Sequence, residues 1–184
     1  MKSNLSKLHT YIRKSVAARE EQQQLIRIAD RYWDVIDQHE LKRRSGAELF
    51  DITRHHLELA NTRRGNSVKL NIHEDEERGT VLFEMVTADR PFIFDSLSNL
   101  LYESGYNLLQ SNHPILWVKR DGRGRLQSIT ALDRKEQETT DYQAESFVRY
   151  ELEPTINALP VNQLKKRVHE TLANIEVVVE DWKA

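Results

Sequence analysis

The stretch that decides the fold runs Thr80-Val81-Leu82-Phe83-Glu84-Met85-Val86-Thr87-Ala88-Asp89-Arg90-Pro91-Phe92-Ile93-Phe94-Asp95-Ser96-Leu97. From Thr80 to Thr87 it is an almost continuous apolar run, the pattern of a central strand covered on both faces. Asp89-Arg90-Pro91 then reads as a helix start. Aspartate is a good N-cap and proline is preorganised for the first helical position, while Ile93, Leu97, Leu100 and Leu101 supply one buried stripe. Gly105 is placed to stop that helix.

Downstream, Tyr106 to Lys119 is extended in pattern, but Pro114 cannot donate to a ladder, so the strand is interrupted by a bulge or lies at an edge there. Asp121-Gly122-Arg123-Gly124 is a hairpin turn, with Arg125 to Leu132 returning antiparallel and Asp133 to Gln143 forming a polar loop. Val148, Tyr150 and Leu152 alternate with Arg149, Glu151 and Glu153, the pattern of a half-exposed strand. Val161, Leu164, Val168, Leu172, Ile175, Val179 and Trp182 keep to one face of a final helix.

Upstream, Val68, Leu70 and Ile72 alternate with polar residues as a strand buried on one face, and the acidic stretch Glu74 to Glu77 with Gly79 turns the chain. The first 64 residues hold no proline and one glycine, Gly46. Leu5, Leu8, Ile12 and Val16 form one helical stripe, and Leu25, Ile28, Tyr32 and Ile36 form another after the exposed Glu20 to Gln24. Ser45-Gly46-Ala47-Glu48 has capping-box spacing ahead of a third stripe of Leu49, Ile52, His56 and Leu59.

The order is helices, strand, strand, helix, three strands, helix. A strand-helix-strand crossover followed by a hairpin gives an α+β sandwich of the ferredoxin-like kind, with a mainly antiparallel sheet and helices on one face. The expected division is a helical segment over residues 1–64 and the α+β domain over residues 65–184.

The chain has 184 residues, 39% hydrophobic and 30% charged, the composition of a water-soluble globular protein. Its 27 basic and 29 acidic residues leave a net charge of −2, so no overall field draws it to nucleic acid or to an anionic bilayer. Cysteine is absent, which removes thiol chemistry and zinc–cysteine sites. No apolar run has the length of a signal peptide or a membrane span, and a cytoplasmic location is the default.

Motifs of catalysis are missing. The strand-to-helix turn holds no glycine to bring backbone amides against a phosphate, and neither a P-loop nor a Gly-x-Ser-x-Gly elbow occurs. His55, His56 and Glu58 are poorly spaced for one metal-binding face and read as surface groups. Lys42-Arg43-Arg44, Arg63-Arg64 and Lys165-Lys166-Arg167 are short, have acidic neighbours and read as solvated faces. Phe83 and Tyr150 are the only candidates for stacking on bases, and core packing accounts for both.

The informative constellation is the turn around Asp89. Unpaired amides and a partial positive charge at a helix N-terminus make a natural seat for a carboxylate. Asn112 and His113, beside the disturbance at Pro114, approach either this end or the opposite one depending on register. The local sequence taken alone favours a plainer reading, in which Asp89 caps and His113-Pro114 shapes an edge.

Asp89-Arg90-Pro91 with its flanking strand and helix resembles the ACT domain, a small regulatory βαββαβ module that often binds amino acids and pairs through sheets or helices. Asp89 to Leu97, then His113-Pro114-Ile115-Leu116-Trp117-Val118-Lys119-Arg120-Asp121, then Glu145-Ser146-Phe147-Val148, resemble the N-terminal ACT-like region of the large bacterial NAD-specific glutamate dehydrogenases. The similarity is collinear from about Tyr32 to Trp182. It implies a regulatory or assembly segment of an enzyme that deaminates L-glutamate to 2-oxoglutarate and ammonium. The NAD cofactor would belong to a catalytic domain far downstream, with none bound by this chain, which alone should be inactive. Many amino-acid-binding ACT domains have glycine directly after Asp-Arg-Pro; Phe92 stands there instead, which puts a phenyl ring where those members admit a ligand.

Three expectations follow. The first is a noncatalytic module acting through homo-oligomers and downstream domains. Any amino-acid effector would then lie against Asp89, Arg90, Pro91, Phe92, Ile93, Phe94 and Asp95, its carboxylate near the amides of Phe92 to Phe94, with Asp95, Asn112 or His113 adding polar contacts. The second is a stand-alone protein that dimerises or senses amino acids; the third, least supported by the residues, is a small enzyme in its own right.

Overall fold

Among the described residues, four helices precede the first strand: α1 (Ser6–Ser15), α2 (Arg19–Tyr32), α3 (Gln38–Arg43) and α4 (Gly46–Leu59). The computed structural model describes residues 5–36, 38–130 and 141–183. The expected three helices are therefore four, with α3 as an extra short turn and Glu20 to Gln24 lying inside α2. Ser45 caps α4 as its spacing predicts. Its hydroxyl accepts from the Glu48 N–H at 3.1 Å and the Glu48 carboxylate accepts from the Ser45 N–H at 2.7 Å. Gly46 has a second role, because a Cβ there would collide with the Lys7 backbone carbonyl; its absence lets α1 close on α4.

The remaining elements are β1 (Lys69–Asp75), β2 (Thr80–Ala88), α5 (Ile93–Glu103), β3 (Tyr106–Asn112), β4 (Ile115–Arg120), β5 (Leu126–Thr130), β6 (Gln143–Pro154) and α6 (Val161–Lys183). The strands form one antiparallel sheet in the order β1-β2-β6-β4-β5, with β3 also on β6. Since β2 and β3 each run antiparallel to β6, they are parallel to one another with β6 between them. α5 is the crossover of this split unit, and the α+β expectation holds.

β3 and β4 lie end to end along β6, interrupted at His113-Pro114 where proline removes a ladder donor. A second irregularity sits at Leu109, where the register with β6 slips by one. That extra residue changes which face the strand presents. Tyr106 and Leu108 stand opposite Pro154 and Leu152, whereas Gln110 and Asn112 stand opposite Glu151 and Arg149 on the other face.

The alternation in β6 does not make it a half-exposed strand. It is central, paired with β2 on one side and with β3 and β4 on the other, and residues 145–150 are all buried. One face packs under α5 and α6. There Val81, Phe83, Met85, Val148, Tyr150 and Leu152 meet Ile93, Leu97 and Leu101 of α5 and Leu164 and Val168 of α6. Phe83 and Tyr150 are core residues as expected, their rings 5.5 Å apart. The opposite face carries the N-terminal helices, with Leu8, Ile12, Tyr32, Trp33 and Leu49 on Val86, Leu116, Val118 and Phe147. Each such fully buried side chain stabilises the fold by roughly 1.5 to 3 kcal/mol. The sheet is thus covered twice.

The N-terminal helical layer also meets charge on the sheet, which corrects three surface expectations. Arg63 is 2% exposed and bonds Glu145. Arg44 donates to Gln110 and to Glu151 at 2.6 Å, and Glu151 is shared with Arg149. His56 is fully buried, with Nε2 against the Met85 carbonyl at 3.1 Å and Nδ1 against the Tyr32 hydroxyl at 2.7 Å. A buried charge or imidazole is tolerable only with such partners; the unexpected position of β6 supplies those of the two arginines, and β2 and α2 supply those of His56.

Gly105 ends α5 at φ 84°, where a Cβ would meet the Ala158 Cα at 2.8 Å. Residues 133–140 of the expected polar loop, and the side chains of Val179 and Trp182, lie outside the described residues. No helix among the described residues is long and apolar enough to cross a membrane.

Candidate functional site

The turn from β2 into α5 is built differently from its expected form. The helix starts at Ile93, so Pro91 precedes the first helical position by two residues. Phe92 is the N-cap, in the left-handed region at φ 68° and with no capping side chain. Asp89, four residues before Ile93, is not the cap. Its carboxylate accepts from the Ser146 hydroxyl at 2.6 Å and its N–H donates to the Ala144 carbonyl at 3.0 Å, so it fastens the end of β2 to β6.

Phe94 occupies the centre of an aromatic stack. The His113 ring lies parallel to it at 5.1 Å and 3°, and the Tyr150 ring lies on it at 5.6 Å and 29°. Tyr150 donates to the Phe94 carbonyl at 3.3 Å and shares a hydrogen bond with the Ser98 hydroxyl at 3.1 Å. Burial pushes the Tyr150 phenol above its ordinary range. Burial likewise lowers His113, against the opposing pull of Asp89 and Asp95, and leaves a neutral imidazole whose Nε2 is buried without a hydrogen-bond partner.

The nine residues singled out by sequence therefore divide. Asp89, Phe94 and His113 converge with Ser146 and Tyr150. Arg90 and Ile93 instead border a cavity of about 150 Å³ with Thr87 of β2 and His169 and Leu172 of α6. Phe92 and Asp95 face outward over a cleft of about 370 Å³ shared with Thr171, Asn174 and Ile175. Pro91 is exposed. Asn112 lies on the opposite face, buried and donating to the Tyr32 carbonyl at 3.1 Å, because the bulge at Leu109 turned it there.

Ser98, Ser146, Tyr150 and His169 were missed. Strand alternation signals two of them, since Ser146 and Tyr150 share a face of β6 with the core residue Val148. Ser98 and His169 belong to helix faces whose partner only the packing reveals. Chemically, the site offers hydrogen-bond donors and acceptors around an exposed helix start, and the Ser146 hydroxyl is already committed to Asp89.

A split strand-helix-strand sheet, a helix pair on one face and a helix entered through Asp-Arg-Pro define an ACT-like domain, the class expected from the sequence. Within that class the chain belongs to the family described as "Glutamate dehydrogenase, ACT1 domain", whose profile matches residues 28–168, from within α2 into α6. The NAD-specific glutamate dehydrogenase of Pseudomonas aeruginosa is 30% identical over 102 residues, covering 54% of this chain. The matched region spans only 6% of that relative's length. No solved structure matches.

Proposed function

We propose that the chain is a noncatalytic regulatory and assembly module of a large cytoplasmic NAD-specific glutamate dehydrogenase. The parent enzyme would convert L-glutamate, NAD and water to 2-oxoglutarate, ammonium and NADH, with NAD held in a downstream catalytic domain. The observation that carries this reading is the family match over residues 28–168, which takes in the whole sheet and part of both helical layers. An amino-acid effector fits at the start of α5, its carboxylate at the free amides after Phe92 and its polar contacts from Asp95 and His113; Asn112 takes no part.

The assembly role draws support from β3. Among the described residues it pairs with β6 alone, and its neighbourhood exposes Leu109 to 52%, Leu108 to 39% and Tyr102 to 75%. An apolar strand edge of this kind invites pairing with another chain. The same edge favours a second reading, a stand-alone dimerising protein.

Calorimetric titration with a panel of amino acids tests the effector: heat for one of them, lost on substituting Asp95, supports it, and no heat leaves assembly alone. Sedimentation velocity tests assembly, with Leu109→Lys expected to dissociate the oligomer. A reading frame continuing into a catalytic domain decides between module and stand-alone protein. Glutamate-dependent NADH formation by the purified chain would overturn the noncatalytic assignment.

A further inference from the structure

Two polar seams join the N-terminal helical layer to the sheet, and they differ in how fully they are satisfied. At the first, between α4 and β1, Arg63 spends every guanidinium nitrogen. Its Nε and Nη2 donate to Glu145 at 3.0 and 2.7 Å, and its Nη1 donates to the Gly65 and Ser67 carbonyls. Arg120 does the same, with Nε and Nη2 on Glu145 at 2.7 Å and Nη1 on the Ala60 and Gly124 carbonyls. A bridge between Thr62 and Arg125 adds to this root, which is pinned.

The second seam lies toward the other end of β6. Glu151 follows Glu145 by six residues, about 20 Å along the strand. Arg44, entering from between α3 and α4, donates through Nη2 to Gln110 and Glu151, and Arg149 shares Glu151. Bonding here is incomplete. Arg44 Nε, Gln110 Nε2, Asn112 Oδ1 and Arg149 Nε are buried without a hydrogen-bond partner, four of the five such side-chain atoms among the described residues. The fifth, His113 Nε2, belongs to the α5 side of the sheet. A buried donor or acceptor left unpaired keeps its desolvation cost, so the layer is held more weakly here than at its root.

The helical layer is also tied across itself. His9 of α1 meets Asp30 of α2 at 2.6 Å, the Trp33 indole at the end of α2 donates to Thr53 of α4 at 2.9 Å, and the rings of Tyr11 in α1 and Phe50 in α4 lie 5.4 Å apart. Every pair among α1, α2 and α4 is thus fastened without help from the sheet. Helices α5 and α6 pack on the opposite face, in a separate core cluster. We propose that α1 to α4 form a hinged cover, fixed at Arg63 and Glu145 and latched at Arg44 and Glu151, which swings off the sheet as one body. Opening uncovers Val86, Leu116, Val118 and Phe147. The bonds from Asn112 to the Tyr32 carbonyl and from His56 to the Met85 carbonyl part in the same step. Such a cover is a two-state element through which a regulatory module can act on a neighbour, and it stands whether or not an effector binds at α5.

The test is native-state hydrogen exchange of the full chain, followed by NMR at low urea concentrations. Amides of α1, α2 and α4 should converge on one opening reaction and exchange at least about 30-fold faster than those of β2 and β6. Arg44→Met, which strips Gln110 of its partner, should speed exchange in the cover about tenfold and leave α5 unchanged. Arg44→Met combined with Gln110→Met removes two orphaned atoms and should return the cover to the wild-type rate or below it. The proposal is overturned if the cover helices exchange no faster than β2 and β6, if Arg44→Met loosens α5 equally, or if the double variant stays as loose as the single one.

Discussion

The guanidinium of Arg63 meets the carboxylate of Glu145 at 2.7 Å with side-chain exposures of 1% and 0%, joining the segment after α4 to the beginning of β6. Arg120, from β4, takes the other carboxylate oxygen at 2.7 Å. One buried anion therefore holds two cations from different parts of the chain. Burial works to raise the Glu145 carboxyl, and the bonds and charges of Arg120 and Arg63 outweigh it and hold it below the ordinary value. Its stabilising contribution is present above the unfolded carboxylate pKa and is lost as pH falls through the lower folded value.

Glu145→Gln leaves two guanidinium groups facing a neutral amide in a dry site. Breaking a buried pair this way should destabilise by about 3 to 5 kcal/mol, measured by urea denaturation. Arg63→Met should cost less, because Arg120 still neutralises the carboxylate. An equal loss in the two variants would show that the anion is not the hub.

Phe92 adopts a conformation that glycine takes without strain, at φ 68°, and the residue is 57% exposed. A left-handed L-residue costs about 1 to 2 kcal/mol, partly offset by the greater chain entropy that glycine loses on folding. Phe92→Gly is expected to leave thermal stability unchanged or raise it by up to about 1 kcal/mol. Phe92→Val should lower it, since a β-branched residue is worse in this region. A large loss in Phe92→Gly would mean that the ring packs on something essential.

Ser45→Ala removes one half of the capping box and should cost about 1 kcal/mol in chemical denaturation. Gly46→Ala should be worse despite the better helix propensity of alanine, because the added methyl meets the Lys7 carbonyl. If Gly46→Ala instead stabilises the protein, α1 is not held that closely against α4.

Much of the fold was legible because period and turn chemistry are local. The capping box at Ser45, the stop at Gly105, the break at Pro114 and the hairpin after Asp121 each depend on a few adjacent residues. Arg149 and Glu151 misled for the opposite reason. They have the alternation of a strand with one wet face, and what covers that face is a helical layer from the other end of the chain, brought there by long-range packing. Arg44 and Arg63 were read as surface groups because their basic runs are short and have acidic neighbours, and His56 because its spacing does not suit a metal-binding face; the same long-range packing buries all three. At the α5 start, Asp-Arg-Pro identified the turn, yet the reach of Asp89 depended on where the first helical residue fell, and Asn112 was turned away by a bulge with no proline or glycine to mark it.

His56 carries the clearest pH dependence. Its Nε2 faces a carbonyl and must carry the proton, so in the neutral ring Nδ1 accepts from the Tyr32 hydroxyl. Burial lowers its pKa from 6.5 to about 3, with the Met85 carbonyl pulling the other way and Arg149 adding to the fall. The unfolded chain therefore takes up a proton at a pH where the folded one does not. Stability from this group is complete above pH 6.5 and declines as pH falls from there to about 3. The slope approaches about 1.4 kcal/mol per pH unit. Urea denaturation at pH 7 and pH 5 should show a loss of about 2 kcal/mol in the wild type. His56→Gln, which keeps a side-chain donor and acceptor but cannot titrate, should be less stable at pH 7 and lose less between the two pH values. Equal losses in both proteins would assign the acid sensitivity to the carboxylates instead.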